Sequence, residues 1–340
     1  MNEKSDVAEE IQGEITDLFE IVSEITHSSS STVSLVKYKR SGNQYAMKTL
    51  YWNMTPQRFF HEFKMLRICN NVHIISARKI FIKKSNNNII FYMILPYFEN
   101  KPLPTIINKF NNVAVYWYIN GLMNALAYLH RKNIAHFDVK PSNYLFNPSN
   151  SQGKLIGFQF SRYLSNPNEE NVSHSENPCL EQDLMNPKNS ENQKPMEFIS
   201  SGSISYRAPE LLMRSEKITS VVDVWSAGVI LLSILTRRYP FFSNTDDLMT
   251  LGQIASILGT QRIHEAAAEC NRKVKFPYET KNTDIKLIVI AYNPHIFELK
   301  LPDSVYDLLG KMLEPCPSKR ITAIDALKHP FLQQVITRGS

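Results

Sequence analysis

The run "HFDVKPSN" places a carboxylate at Asp138, an ammonium at Lys140 and a carboxamide at Asn143 in a turn broken by Pro141. A carboxylate beside an ammonium stays ionised and can orient a hydroxyl proton. An asparagine five residues on can offer its carbonyl oxygen to a hard cation. Two further charges, Lys48 in "YAMK" and Glu62 in "FFHEF", lie in separate stretches of opposite character, one strand-like and one helix-like. Read singly, each of these is an ordinary surface group. As a set they describe phosphate handling. A dozen residues after the turn, "KLIGFQF" reads as a short apolar strand running into Gly157-Phe158-Gln159. Phosphate chemistry asks for a metal-binding carboxylate at the end of that strand, and a glycine stands there instead.

Positioning these groups takes two kinds of structure. Residues 1 to about 20 show Ile11, Ile15, Leu18, Phe19 and Val22 at helical spacing among acidic residues, which predicts a short amphipathic helix. From about 21 onward the pattern predicts strands at "TVSLVKYK" and "QYAMKTLYW", parted by the turn Ser41-Gly42-Asn43. "TPQRFFHEFKMLRIC" predicts a helix with Thr55 as its cap and Pro56 in its first turn. Two more strands, "SARKIFIKK" and "IIFYMILPYF", flank the turn "SNNN", and Pro96 marks the end of a small β-rich lobe. Beyond Pro102 the chain reads as mainly helical, with long helices at "AVYWYINGLMNALAYLHRKN" and "VDVWSAGVILLSILTRR" and shorter ones at "VYDLLGKML" and "AIDALKHPFL". The stretch from about 163 to 198 is rich in Asn, Ser, Glu and Pro and has too few apolar residues to fold alone, so it reads as a mobile insert.

Composition sets the outer bounds. A chain of 340 residues with 43% hydrophobic and 21% charged residues can bury a sizeable core as one large domain or two lobes. The net charge of +6 is small for this length; it fits an acidic partner or substrate but describes a solvated surface better. Four scattered cysteines form no C-x-x-C pair, which argues against a zinc site or a disulfide framework and for reducing, intracellular conditions. The acidic N-terminus does not read as a signal peptide, and "VWSAGVILLSIL" is too short to span a bilayer. The expectation is a soluble chain with no membrane contact and no direct binding of nucleic acid.

"YAMK", "HFDVKPSN", "YRAPELL" and "DVWSAGVILLSIL" come in the order and spacing of the eukaryotic protein kinases. The resemblance covers roughly residues 21 to 335. The runs "VDVWSAGVILLSILTRRYPFF" and "DDLMTLGQIASILGT", with the polar insert before "RAPE", more closely resemble the cell division control protein 7 family of replication-initiation kinases. The fold so implied is α+β and bilobal. It has an acidic extension over 1–20, an N-lobe over 21–96, a hinge and C-lobe over 97–335 with the insert in the activation segment, and a tail over 336–340.

The resemblance also implies roles. Lys48 would hold the α- and β-phosphates of ATP, fixed by Glu62. Asp138 would be the catalytic aspartate, Lys140 would steady the transferred phosphoryl group, and Asn143 would be a ligand to Mg²⁺. Adenine would lie between Val33 and Ala46 above and Leu145 below, with Leu95 as gatekeeper and Pro96, Tyr97 and Phe98 as hinge. Glu210 would pair with Arg320, Asp223 would brace the catalytic loop, and Ser203 would present a hydroxyl to Asp138. A protein substrate (the replicative minichromosome-maintenance helicase in this family), a regulatory activator subunit and a nuclear location complete the expectation.

Three departures leave two readings open. "ITHSSSSTV" has no glycine where the phosphate-covering loop of kinases is glycine-rich. Phe137 replaces the arginine that in many kinases reads a phosphate on the activation segment, so an insert or partner would have to order that segment. Gly157-Phe158-Gln159 replaces Asp-Phe-Gly. Phe158 is kept and can still form a hydrophobic column with His136 and Leu66, but the carboxylate is lost and Gln159 offers only a neutral oxygen. One reading is a serine/threonine kinase with a weakened metal site, slow or partner-dependent. The other is a pseudokinase scaffold. A small-molecule phosphotransferase fits the "APE" segment poorly.

Overall fold

The computed structural model describes residues 8–28, 31–51, 56–85, 88–164, 203–243 and 246–334. The expected cap Thr55, nearly all of the insert and part of the serine-rich loop lie outside these residues.

The N-lobe is a six-stranded sheet in the order β1-β5-β6-β4-β3-β2. Its strands are β1 (Ala8–Glu10), β2 (Phe19–His27), β3 (Ser31–Tyr38), β4 (Gln44–Tyr51), β5 (Lys79–Ser85) and β6 (Asn88–Pro96). The β-branched and aromatic runs form antiparallel ladders, and β6 ends at Pro96 as its proline suggests. The helix α2 (Pro56–Ile68) crosses this sheet, burying Phe59, Glu62, Phe63, Met65 and Leu66.

The expected amphipathic helix at the N-terminus is not formed. Among the described residues of this stretch only α1 (Ile15–Leu18) is helical, four residues long. Before it, β1 pairs in parallel with β5, and after it Phe19 opens β2. The apolar residues that suggested one helical face divide their roles. Ile15 and Phe19 are buried against Val36, Met47, Phe81, Tyr92 and Ile94, with Ile11 and Leu18 at the margin. Val22 faces solvent. Acidic residues before and among them pair with the lysines of β5: Glu9 with Lys79, Glu14 with Lys83, and Glu10 with Lys84 at 2.8 Å.

The C-lobe is built on two helices. In α4 (Asn112–Arg131) Asn111 caps the start, its Oδ1 accepting from the Ala114 amide at 2.8 Å. The helix α6 (Val221–Thr236) is buried on every side, as its unbroken apolar composition requires. Around them lie α3 (Leu103–Ile106), α5 (Pro209–Leu212), α7 (Asp247–Leu258), α8 (Thr260–Glu269), α9 (Ile285–Tyr292), α10 (Ser304–Met312) and α11 (Ala323–Ala326). The last is shorter than "AIDALKHPFL" suggested, because His329 and Pro330 close the chain in turns. Four short strands complete the described part of the lobe. Ile134–Ala135 (β7) pairs with Arg162–Tyr163 (β10), and Tyr144–Asn147 (β8) pairs with Gln152–Leu155 (β9). They carry the loop and turn that hold the reactive side chains.

Candidate active site

In the N-lobe, β4 places Lys48 and α2 places Glu62 so that Lys48 Nζ lies 2.5 Å from Glu62 Oε2. The glutamate is nearly buried and the lysine retains about a fifth of its exposure, so the ammonium opens towards the interlobe cleft. The register sets which residues share a face with Lys48. Lys48 pairs with Val33 on β3 and with Met93 on β6, while Ala46 pairs with Leu35 and Leu95. Paired and alternate residues share a face of a pleated sheet, so Val33, Ala46 and Leu95 stand with Lys48. Leu35 and Met93 join them and were not expected. Tyr97 follows β6 and is exposed, and Leu145 is half-buried on β8.

In the C-lobe, the loop between β7 and β8 gathers the second group. Asp138 Oδ2 lies 2.8 Å from Lys140 Nζ and accepts from Asn143 Nδ2 at 2.8 Å. Asp138 Oδ1 accepts from the Ser203 amide at 3.2 Å, and Lys140 Nζ donates to Ser203 Oγ at 3.1 Å. Asp138, Lys140, Asn143 and Ser203 therefore form one hydrogen-bonded unit, although 65 residues separate its ends. With its amide nitrogen committed to Asp138, Asn143 keeps Oδ1 as a free-standing acceptor type for a cation.

Asp223 braces the loop from α6. Its Oδ2 accepts from the His136 amide at 2.8 Å and its Oδ1 from the Phe137 amide at 2.9 Å, while His130 Nε2 lies 3.0 Å from Oδ2. His136 is fully buried, and desolvation lowers its pKa from the ordinary histidine value. The neutral ring donates from Nε2 to the Ile156 carbonyl at 2.9 Å and accepts the Asp138 amide on Nδ1 at 3.3 Å. Its ring meets Phe158 edge-on, with centroids 4.8 Å apart, and Leu66 of α2 is equally buried.

Gly157 sits at φ +81°, in the left-handed region. A β-carbon there would meet Asn143 Cγ and Oδ1, each at 2.5 Å. The glycine thus makes room for the carboxamide that binds Asp138, a constraint invisible in the sequence. Among the described residues no group of three His, Cys, Asp or Glu side chains could hold a metal ion.

The segment after Gly157 is held by contacts that no motif announces. His61 Nε2 lies 2.6 Å from the Ser161 carbonyl oxygen, the Arg58 guanidinium lies over the Phe160 ring at 5.0 Å, and Arg162 lies over the Phe137 ring at 4.2 Å. These contacts tie residues 160–162 to α2 and to the catalytic loop; most of the segment that an insert or partner was expected to order lies outside the described residues.

A protein kinase domain model matches residues 19–332. The chain belongs to the protein kinase family. It is 30% identical over 337 residues, 93% of this chain and 92% of the relative, to the probable cell division control protein 7 homolog 1 of Encephalitozoon cuniculi. Homolog 2 of the same organism matches over the same shares. The cell cycle serine/threonine-protein kinase hsk1 of Schizosaccharomyces pombe is 29% identical over 92% of this chain and 66% of its own length. The chain is a serine/threonine protein kinase of the cell division control protein 7 type, with the α+β bilobal fold. These relationships favour the enzyme over the pseudokinase scaffold. ATP, a divalent metal ion and a protein substrate go with the family. The residues present fit the nucleotide well, through the formed Lys48–Glu62 pair. They fit the metal through the Asn143 carbonyl oxygen, without a second protein ligand at Gly157.

Proposed function

We propose that this chain is a replication-initiation kinase that transfers the γ-phosphoryl group of ATP to serine or threonine of the replicative helicase, with a weakened metal site and help from an activator subunit. In this reading Asp138 accepts the hydroxyl proton of the substrate, and Lys140 neutralises charge on the phosphoryl group in flight. Lys48, held by Glu62, orients the α- and β-phosphates. Val33 and Ala46 cover adenine against Leu145, with Leu95 at the back and Tyr97 on the hinge. Asn143 offers the protein oxygen for Mg²⁺, which when bound supplies charge neutralisation between the phosphates. A nuclear location accompanies a replication role. No described helix is long and apolar enough to cross a membrane.

The observation that carries the reading is the intact Asp138–Lys140–Asn143 unit beside a formed Lys48–Glu62 pair. A scaffold that had stopped transferring phosphate would have no need of both. The test is transfer of labelled γ-phosphate to purified minichromosome-maintenance subunits, with and without the candidate activator. Label on serine or threonine, increased by the activator, is the expected result. Absence of label under both conditions would reject the substrate.

The weakened metal site makes its own prediction. A carboxylate about 4 Å from a unit charge contributes roughly 4 kcal/mol at an effective dielectric near 20. Gly157→Asp supplies one, and aspartate is among the residues that tolerate a left-handed backbone. Its β-carbon, however, must push Asn143 off its two bonds to Asp138, costing about 2 kcal/mol. Left-handed strain at this position costs about 1–3 kcal/mol more, so the expected outcome is a steeper dependence on Mg²⁺ with little gain in transfer. Fast and steeply Mg²⁺-dependent turnover in the parent chain would contradict the weakened site.

A further inference from the structure

The residue before Asp138 is held in an unusual way. Phe137 has φ +63°, a left-handed conformation that a bulky side chain rarely adopts. Because the peptide after it leads straight into Asp138, any relaxation of Phe137 would re-aim the carboxylate. Its side chain packs against the core, and two further contacts hold it. Its amide donates to Asp223 Oδ1, and its ring lies beneath the Arg162 guanidinium at 4.2 Å. Arg162 is placed for this by β10, where it pairs with Ala135 of β7, two residues before Phe137.

Arg162 is also the end of a strap. The residue before it, Ser161, gives its carbonyl oxygen to His61, and Phe160 lies beneath Arg58. Both partners are on α2, the helix that carries Glu62. Three consecutive residues thus connect the helix that fixes Lys48 to the loop that carries Asp138. In many kinases that connection runs from a loop arginine to a phosphate on the segment. Here the polarity is exchanged: the loop supplies an aromatic ring and the segment supplies the cation.

We propose that Arg162 is a positioning residue for Asp138, and that its stack on Phe137 holds the catalytic loop in its working geometry with no phosphate on the activation segment. The proposal rests on the reading of Asp138 as the catalytic aspartate. A guanidinium over a phenyl ring in a half-buried setting contributes enough to shift a rate by about tenfold.

The test uses the full chain, with kcat, KM for ATP and thermal midpoint measured for each variant. Arg162→Ala is expected to lower kcat about tenfold while KM for ATP and the midpoint stay near those of the parent. Arg162→Lys, which keeps a cation over the ring, is expected to recover most of that loss. Phe137→Leu is expected to match Arg162→Ala, and the double variant to be no worse than either, because the two side chains act as one unit. Phosphatase treatment of the parent is expected to leave kcat unchanged. An unchanged kcat in Arg162→Ala, a fall in midpoint that accounts for the whole loss, additive effects in the double variant, or a tenfold loss on phosphatase treatment would each overturn the proposal. If Asp138→Asn left transfer intact, the reading beneath it would fall; if that variant were inactive beside an unaffected Arg162→Ala, this inference alone would fall.

Discussion

Asp138→Asn is expected to lower kcat for phosphate transfer by about 10³-fold, with nucleotide binding preserved. The carboxylate accepts from three donors at once: the Ser203 amide at 3.2 Å on one oxygen, and Lys140 Nζ and Asn143 Nδ2, both at 2.8 Å, on the other. An asparagine has one acceptor oxygen and one donor nitrogen. If its oxygen faces Lys140 and Asn143, its nitrogen meets the Ser203 N–H. If it turns over, its nitrogen meets two donors. Either orientation loses the negative charge that draws the substrate proton and breaks the unit that aims the group. Lys48 and Glu62 belong to the other lobe and are untouched, so nucleotide affinity should not move. Steady-state transfer beside a nucleotide-binding titration separates the two. Undiminished transfer would mean that another group takes the proton.

The Asp138, Lys140 and Asn143 cluster was legible from residue types at short spacing, while the roles of Lys48, Glu62 and the residues around adenine came through the family resemblance. "YAMK" and "HFDVKPSN" each lie within one element or turn, so the chain order carries their geometry. The pairing of Glu210 with Arg320 was readable only through family resemblance, since 110 residues separate them. The strap from α2 to Asp138 was not readable. His61 and Ser161 are 100 residues apart, and nothing about a histidine beside Glu62 or an arginine after "FQFS" marks a partner. Gly157 was seen as a missing carboxylate, while its fit to the Asn143 carboxamide needed coordinates. The N-terminus misled for a different reason. Ile11, Ile15, Leu18 and Phe19 do converge on one apolar patch, but a strand, one helical turn and a second strand can achieve that with the same spacing as a helix. The pairing of β1 with β5 decided between them, together with the Glu–Lys contacts along it.

Glu210→Ala is expected to destabilise the folded chain by about 3–5 kcal/mol while leaving the chemistry of the cleft intact. Both side chains of the Glu210–Arg320 pair are wholly buried, and the guanidinium is held bidentately at 2.7 and 2.9 Å. Arg320 also donates to the carbonyls of Glu314 at 2.8 Å, Val221 at 3.1 Å and Pro315 at 3.2 Å, and lies over Trp225 at 5.2 Å. Those dipoles solvate the cation only in part, so removing the carboxylate strands a charge that water cannot reach. Arg320→Met in the Glu210→Ala background should recover stability, because the stranded charge is then gone. Lys48→Ala is the contrasting case. Its ammonium opens on the cleft, where water can hydrate Glu62 in part, so the cost to folding should be about 2 kcal/mol, below that of Glu210→Ala. The loss in nucleotide affinity should exceed it. Urea unfolding and nucleotide titration on both variants give the comparison. Equal destabilisation by the two would mean that Lys48–Glu62 and Glu210–Arg320 serve the same end, and the division between a ligand-holding pair and a scaffold pair would fail.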